Sequence, residues 1–318
     1  MVNNQKRPSD DQSRLDEYAY QVIVEQFKHV TKQQKKVLKD ENPEPLHQMR
    51  VGIRRLRTAL QVFEMAIALP KSANNKQLRD VARVLGKVRD LDVQIASLKD
   101  EYQPKVKTRE KHCIDQVIAS LQKQRKKAFS KMEKTFNQPL YQEVKSAFVA
   151  WLEHPQYTAI AQLPLTSLLP DLLSPLLSHL LLHPGWLISI EDASDENALV
   201  LHDLRKALKH ARYQTEFFIP CYGEDFQNWI KEVKELQERL GQFQDIQVLQ
   251  ALLTDQLDNL EQLSDLQKIL NAKITDALST WEQTRQKYLK DDYRYHLHQI
   301  LLQPTARLEP RHLELVNN

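Results

Sequence analysis

Apolar residues recur along most of the chain at spacings of three and four, with proline or asparagine interrupting them. Met49, Ile53, Leu56, Leu60, Phe63 and Ile67 step by 4, 3, 4, 3 and 4. That period marks a helix with one buried face, and it predicts a helix over Leu46–Leu69. Tyr20, Ile23, Phe27 and Val30 predict another from Asp16 to Leu38. It should end at Asn42-Pro43-Glu44-Pro45, because a residue before proline is driven out of the α region. Leu78, Val81, Leu85, Val88 and Ile95 predict a third over Lys76–Lys99, after a turn at Pro70 and Asn74-Asn75. Further helices are expected over Lys105–Asn137, between Pro139 and Pro155, over Ala198–Pro220 and over Phe226–Leu253. A long helix is expected over Leu260–Tyr288 and a short one over Asp292–Leu302. Leu163–Leu182 is a leucine stretch punctuated by Pro164, Pro170 and Pro175, and Ile190–Asn197 reads as an acidic loop. No run alternates apolar and polar residues beside turn dipeptides, so strand signals are absent. The fold class is all-α.

The pattern also repeats. HQMRVGIRRLRTALQVF at His47–Phe63 returns as HDLRKALKHARYQTEFF at His202–Phe218, an offset of 155 residues. His47, Arg50, Arg54, Arg57 and Phe63 fall on His202, Arg205, Lys209, Arg212 and Phe218. Arg79, Leu85, Gly86, Asp90 and Val93 fall on Lys234, Leu240, Gly241, Asp245 and Val248. A register held without slippage over roughly 45 residues describes two copies of one unit. The expected organisation is a polar tail at 1–13 and one domain over 14–302. Its first repeat covers about 14–155, the connection and first helix of the second about 156–197, the remainder 198–302, and a tail follows at 303–318.

Composition narrows the chemistry. The 318 residues carry five glycines and two cysteines, Cys113 and Cys221, with a net charge of +3. So few glycines exclude a Walker A loop or a dinucleotide fingerprint, and two cysteines fit a reducing compartment better than a disulfide framework. The N-terminus has no apolar signal region, and the prolines, Asp171 and His179 in the leucine stretch argue against a membrane span. A cytoplasmic protein is expected.

The charge is modest in sum and organised in place. His47, Arg50, Arg54 and Arg57 step by 3, 4 and 3, a stripe about 120° from the apolar seam at 100° per residue. Few acids interleave it. A solvated face explains one such stripe, but between the copies the neighbours changed (GIRRLRTAL against ALKHARYQT) while the charges stayed. Clustered like charge is costly unless a polyanion neutralises it. Arginine grips phosphate oxygens in pairs, and histidine adds a donor that titrates near neutrality. Two stripes facing each other suit an extended phosphate chain. Phe63, Phe217 and Phe218 fall at core positions, which leaves no stacking platform and disfavours nucleic acid. No metal-ligand spacing, nucleophile–base pair or cofactor motif appears. Asp90 and Asp245 are expected to orient nearby Arg or Lys side chains. Mid-helix Gly86 and Gly241 suggest a close approach of helices or of a ligand to the backbone.

HQMRVGIRRLR and HDLRKALKHARY, with RVLGKVRDLDV and ERLGQFQDIQV, resemble the paired signatures of the CHAD family, the conserved-histidine α-helical domain. The resemblance spans roughly residues 14–302. It implies two four-helix repeats related by pseudo-two-fold symmetry around a basic channel, binding of inorganic polyphosphate and association with polyphosphate granules. By the resemblance, His47, Arg50, Arg54, Arg57, His202, Arg205, Lys209 and Arg212 would line the channel. Arg79 and Lys234 would support it, and Lys28, Lys32, Arg83 and Arg89 are peripheral candidates. The expectation is a non-catalytic binding protein without cofactor or metal. The Glu-x-Glu-x-Lys signature of a triphosphate tunnel domain is missing, and Gln244 stands where the first copy has Arg89. Two alternatives stay open: an enzyme using His47 or His202 on polyphosphate or a phosphorylated small molecule, and a helical adaptor for acidic or nucleic-acid partners.

Overall fold

The computed structural model describes residues 13–193, 195–257 and 263–305. The expected tail at 1–13 lies outside them except for Ser13, as does the tail at 303–318 beyond Thr305. The described residues are almost wholly helical. They form α1 (Leu15–Lys39), α2 (Glu44–Val62), α3 (Asn75–Ala96), α4 (Thr108–Phe136), α5 (Pro139–Glu153), α6 (Leu165–Leu181), α7 (Asp195–Thr215), α8 (Glu224–Gln256), α9 (Ser264–Ala277), α10 (Trp281–Leu289) and α11 (Asp291–Leu301). Two isolated bridges, Arg14 with Pro164 and Ile67 with Tyr157, are the extended pairings among them.

Four expectations need correction. α2 stops at Val62, not Leu69. Residues beyond it leave the helix to pair with the segment after α5, where the Ala68 amide donates to Gln156 and the Thr158 amide to Ala66. Phe63 and Ile67 are still buried, so the seam outlasts the helix. α3 ends at Ala96 and passes into a π-helical turn, Ser97–Tyr102. The loop expected at Ile190–Asn197 gives way to α7 at Asp195. The long helix over Leu260–Tyr288 is two helices, with residues 258–262 outside the description. It breaks at Leu278–Thr280, where aromatic packing overrides helical periodicity. The Trp281 indole donates to the Ile188 carbonyl at 2.9 Å, and Trp186 stacks between Trp281 and Tyr288 with centroids 5.9 and 4.2 Å away. Each such pair is worth about 0.5–1.5 kcal/mol beyond burial.

The proline-punctuated stretch is helix α6, with Pro170 and Pro175 inside it. Each interior proline costs about 3 kcal/mol. Leu165, Leu169, Leu173, Leu177 and Leu180 are fully buried along its inner face, and a buried leucine returns about 1.5–3 kcal/mol. Five leucines outweigh two prolines. Leu165–Leu187 has the length and composition of a membrane span, but Leu165, Leu169, Leu173, Leu177, Leu180 and Leu181 are buried in the core.

The core is double. The larger cluster gathers α1, α2, α5, α6, α7, α10 and α11 with the N-terminal parts of α3 and α8 and the C-terminal ends of α4 and α9. The smaller gathers Leu98 and Tyr102 of the π turn, the N-terminal parts of α4 and α9 and the C-terminal parts of α3 and α8. Glu110 of α4, itself buried, ties the smaller cluster together by accepting from the Asp265 and Leu266 amides that open α9. α3 and α8 therefore run from one core into the other. They change allegiance at the same register: Val88 and Phe243 belong to the large core, Leu91 and Ile246 to the small one.

The two copies meet in the large core. Phe63 and its counterpart Phe218 pack edge to face at 6.0 Å, and Tyr18 stacks on Phe218 at 5.9 Å. Arg55 of α2 reaches across to Glu216 at 2.7 Å.

Candidate functional site

Between the two cores lies a cavity of about 1160 Å³. α2 and α7 supply its floor with His47, Arg50, Arg54, Arg57, Arg205 and Lys209. α3 and α8 supply its walls with Arg89, Asp90, Val93, Asp245 and Val248. The π turn and α9 supply its roof with Glu101, Tyr102, Lys273 and Asp276. Floor and roof carry opposite charge.

The floor follows from helix geometry. Met49, Ile53, Leu56 and Leu60 are buried in the large core. The stripe beside that seam is half-buried, with its heads at the cavity. Arg54 lies most deeply of the four. Its guanidinium carbon sits 4.3 Å from the ring centre of Tyr213, a cation–π contact worth about 0.5–2 kcal/mol. Burial lowers its pKa. Its Nε is buried without a protein acceptor, as is the Nε of Arg205. Arg57 donates from Nε to the Asn75 side chain at 2.7 Å.

The duplicated glycines have a specific role. A Cβ on Gly86 would meet Arg50 Nη1 at 2.8 Å, and one on Gly241 would meet Arg205 Nη2 at 3.1 Å and Nε at 3.3 Å. Each glycine is a notch for the arginine of its own copy. In each copy the same arginine faces a carboxylate one turn on, Arg50 with Asp90 at 3.2 Å and Arg205 with Asp245 at 3.8 Å. The glycines were expected to admit a helix or a ligand; what approaches them is an arginine side chain, and Asp90 and Asp245 each stand against that arginine.

Not all of the expected residues reach the cavity. His202 is off its lining, with Nδ1 buried and unpartnered. Arg212 turns away to Glu216 at 2.7 Å, Gln237 at 3.1 Å and Glu238 at 3.7 Å. Lys234 approaches Glu238 at 4.0 Å. Arg83 pairs with Asp80 at 3.3 Å on the exposed side of α3. Arg79, Lys28 and Lys32 are also exposed and off the lining, whereas Arg89 is on it. The roof was missed altogether. Lys273, with its ammonium against Glu101 and 5.1 Å from the Tyr102 ring centre, has no motif to mark it.

Crowding shows in the titrations. Burial first, and then the cations Arg54, Arg205 and Arg50, bring Lys209 down to about 8. Burial, then Arg89, lowers His47, and burial, then Lys206 and Arg205, lowers His202. Both histidines are therefore held toward the neutral form. Among the described residues, no group of three or more His, Cys, Asp or Glu side chains is placed to hold a metal ion.

A cavity floored by two copies of a His/basic helix is matched by a family-level result: the CHAD domain model covers residues 21–254. The chain belongs to the CHAD family. The crystal structure of the CHAD domain from the plant Ricinus communis is similar at 23% identity, covering 93% of this chain and 96% of that one, with a TM-score of 0.58. PptA from Streptomyces chartreusis is similar at 14% identity, covering 86% and 100%, with a TM-score of 0.62. At these identities the likeness speaks for the fold. No curated protein matches the chain. In this CHAD domain the signature segments HQMRVGIRRLR and HDLRKALKHARY are the floor helices, and RVLGKVRDLDV and ERLGQFQDIQV are the stretches of wall that cross between the cores.

Proposed function

We propose that this CHAD protein binds inorganic polyphosphate in the cavity without transforming it. The observation that carries the reading is the convergence of Arg50, Arg54, Arg57, Arg205 and Lys209, from two helices far apart in sequence, on one floor. Clustered guanidiniums, two of them (Arg54 and Arg205) with a buried and unpartnered Nε, match a ligand with many phosphate oxygens. The floor presents arginine forks without an exposed stacking platform: the aromatics at the cavity, Tyr213 against Arg54 and Tyr102 in the roof, are both buried, which favours polyphosphate over nucleic acid. His47 stands with the arginines and Lys209 on the floor, whereas His202, Arg79, Arg212 and Lys234 lie off the cavity lining. No cofactor or metal enters the reading, and the protein would work in the cytoplasm, on polyphosphate granules.

Calorimetry with polyphosphate of defined length tests it. Saturable binding that weakens steeply with salt is expected, because neutralising a linear polyanion releases its counterions. Duplex DNA at equal phosphate should compete weakly, and no orthophosphate should be released with Mg²⁺ or Mn²⁺. Equal competition by DNA would favour the adaptor reading, and sustained phosphate release would favour an enzyme.

A further inference from the structure

The paired carboxylates invite an obvious role, that of aiming the arginines. The geometry argues for the opposite. Arg50 and Arg205 are already seated by the notches at Gly86 and Gly241, where the backbone leaves room for a guanidinium and nothing more. Asp90 and Asp245 add little to that placement. Their side chains are 67% and 68% exposed, and the second pair is loose at 3.8 Å. Exposed pairs of this kind contribute little to stability. Yet both carboxylates stand on the cavity wall, beside the groups an anion would use.

We infer that Asp90 and Asp245 are competing counterions that hold down the affinity of the floor, and that Gly86 and Gly241 position its two arginines. The inference rests on the polyphosphate reading of the site. In the free protein each carboxylate occupies one arginine. A phosphate chain must displace both before it reaches the full set of floor cations. The chain therefore binds more weakly than the bare charge of the stripes would allow, and it leaves more readily. The offset of 155 residues carries the whole arrangement from one copy to the other, arginine, glycine and carboxylate together.

The test is calorimetry with long-chain polyphosphate across a salt series, on the full chain and two double variants. Asp90→Asn with Asp245→Asn should raise affinity about tenfold at low salt. It should also steepen the slope of log K against log salt by about 1.4, since two more cations reach the ligand at about 0.7 each for a single strand. Gly86→Ala with Gly241→Ala should lower affinity about tenfold with Tm no lower than wild type, because alanine favours the helix and the new methyl displaces only the flexible end of each arginine. An unchanged or lower affinity in the asparagine variant, with wild-type binding intact, overturns the counterion role alone. An unchanged affinity in the alanine variant overturns the notch. Failure of the wild-type chain to bind polyphosphate sinks the reading of the site, and this inference with it.

Discussion

The stripes on α2 and α7 are the same helix face in two settings. On α2 all four members, His47, Arg50, Arg54 and Arg57, reach the cavity, whereas on α7 only Arg205 and Lys209 do. For Arg212 the difference comes from acids that only the second copy has, since Glu216 and Glu238 draw it away. The positions 155 residues earlier hold Gln61 and Arg83. Lys234, beside Glu238, is off the lining as its first-copy counterpart Arg79 is. Glu216 also accepts from Arg55, so one carboxylate stitches α2 to α7. The first copy kept its charges for the cavity, and the second spent some of them on joining the halves. Identical residue types at equivalent positions thus turn to packing in one copy and to the cavity in the other, according to which counterion lies within reach.

The contrast can be broken most forcefully from the α2 side. Arg54→Glu with Arg57→Glu reverses two floor charges and should weaken polyphosphate binding by at least about 100-fold with far-UV circular dichroism unchanged. Undiminished binding would reduce the stripe to a solvated face. Single truncations sharpen the asymmetry. Arg57→Ala should cost roughly tenfold in affinity and little in Tm. Arg212→Ala should cost less than about threefold but lower Tm by a few degrees, because it removes a partner of Glu216 from the junction. Equal affinity losses would show that the two stripes act alike after all.

The smallest effect expected is on pH. Lys209, brought down to about 8, is charged below that value and neutral above it. Its contribution to anion binding is therefore present at neutral pH and fades as pH rises through about 8. The charged groups that face it are Arg54, Arg205, Arg50 and Asp245. Lys209→Arg should flatten the alkaline decline. A decline of the same size in that variant would assign it to another group.

Much of this was legible along the chain. The seams of α1, α2 and α3 follow their spacings, and the 155-residue register located both floor helices and the glycine–aspartate pairs. Helix ends were less legible, because they answer to partners far away. α2 yields to a pairing near Tyr157, and the expected long helix yields to Trp186. A helix was expected somewhere in 156–197, and the five buried leucines, weighed against the two prolines, account for it at Leu165–Leu181. The roof left no trace in the sequence, since Lys273, Glu101 and Tyr102 belong to unrelated segments that meet only across the small core.

Sequence alone determined the class, the repeat and the identity of the charges, because helical period and residue type are local properties that survive in one dimension. Which charges face the cavity was decided by the tertiary structure. A cation goes where its nearest counterion lets it go, and whether that counterion is Glu216 at a junction or Asp90 on a wall depends on chain segments brought together only by packing.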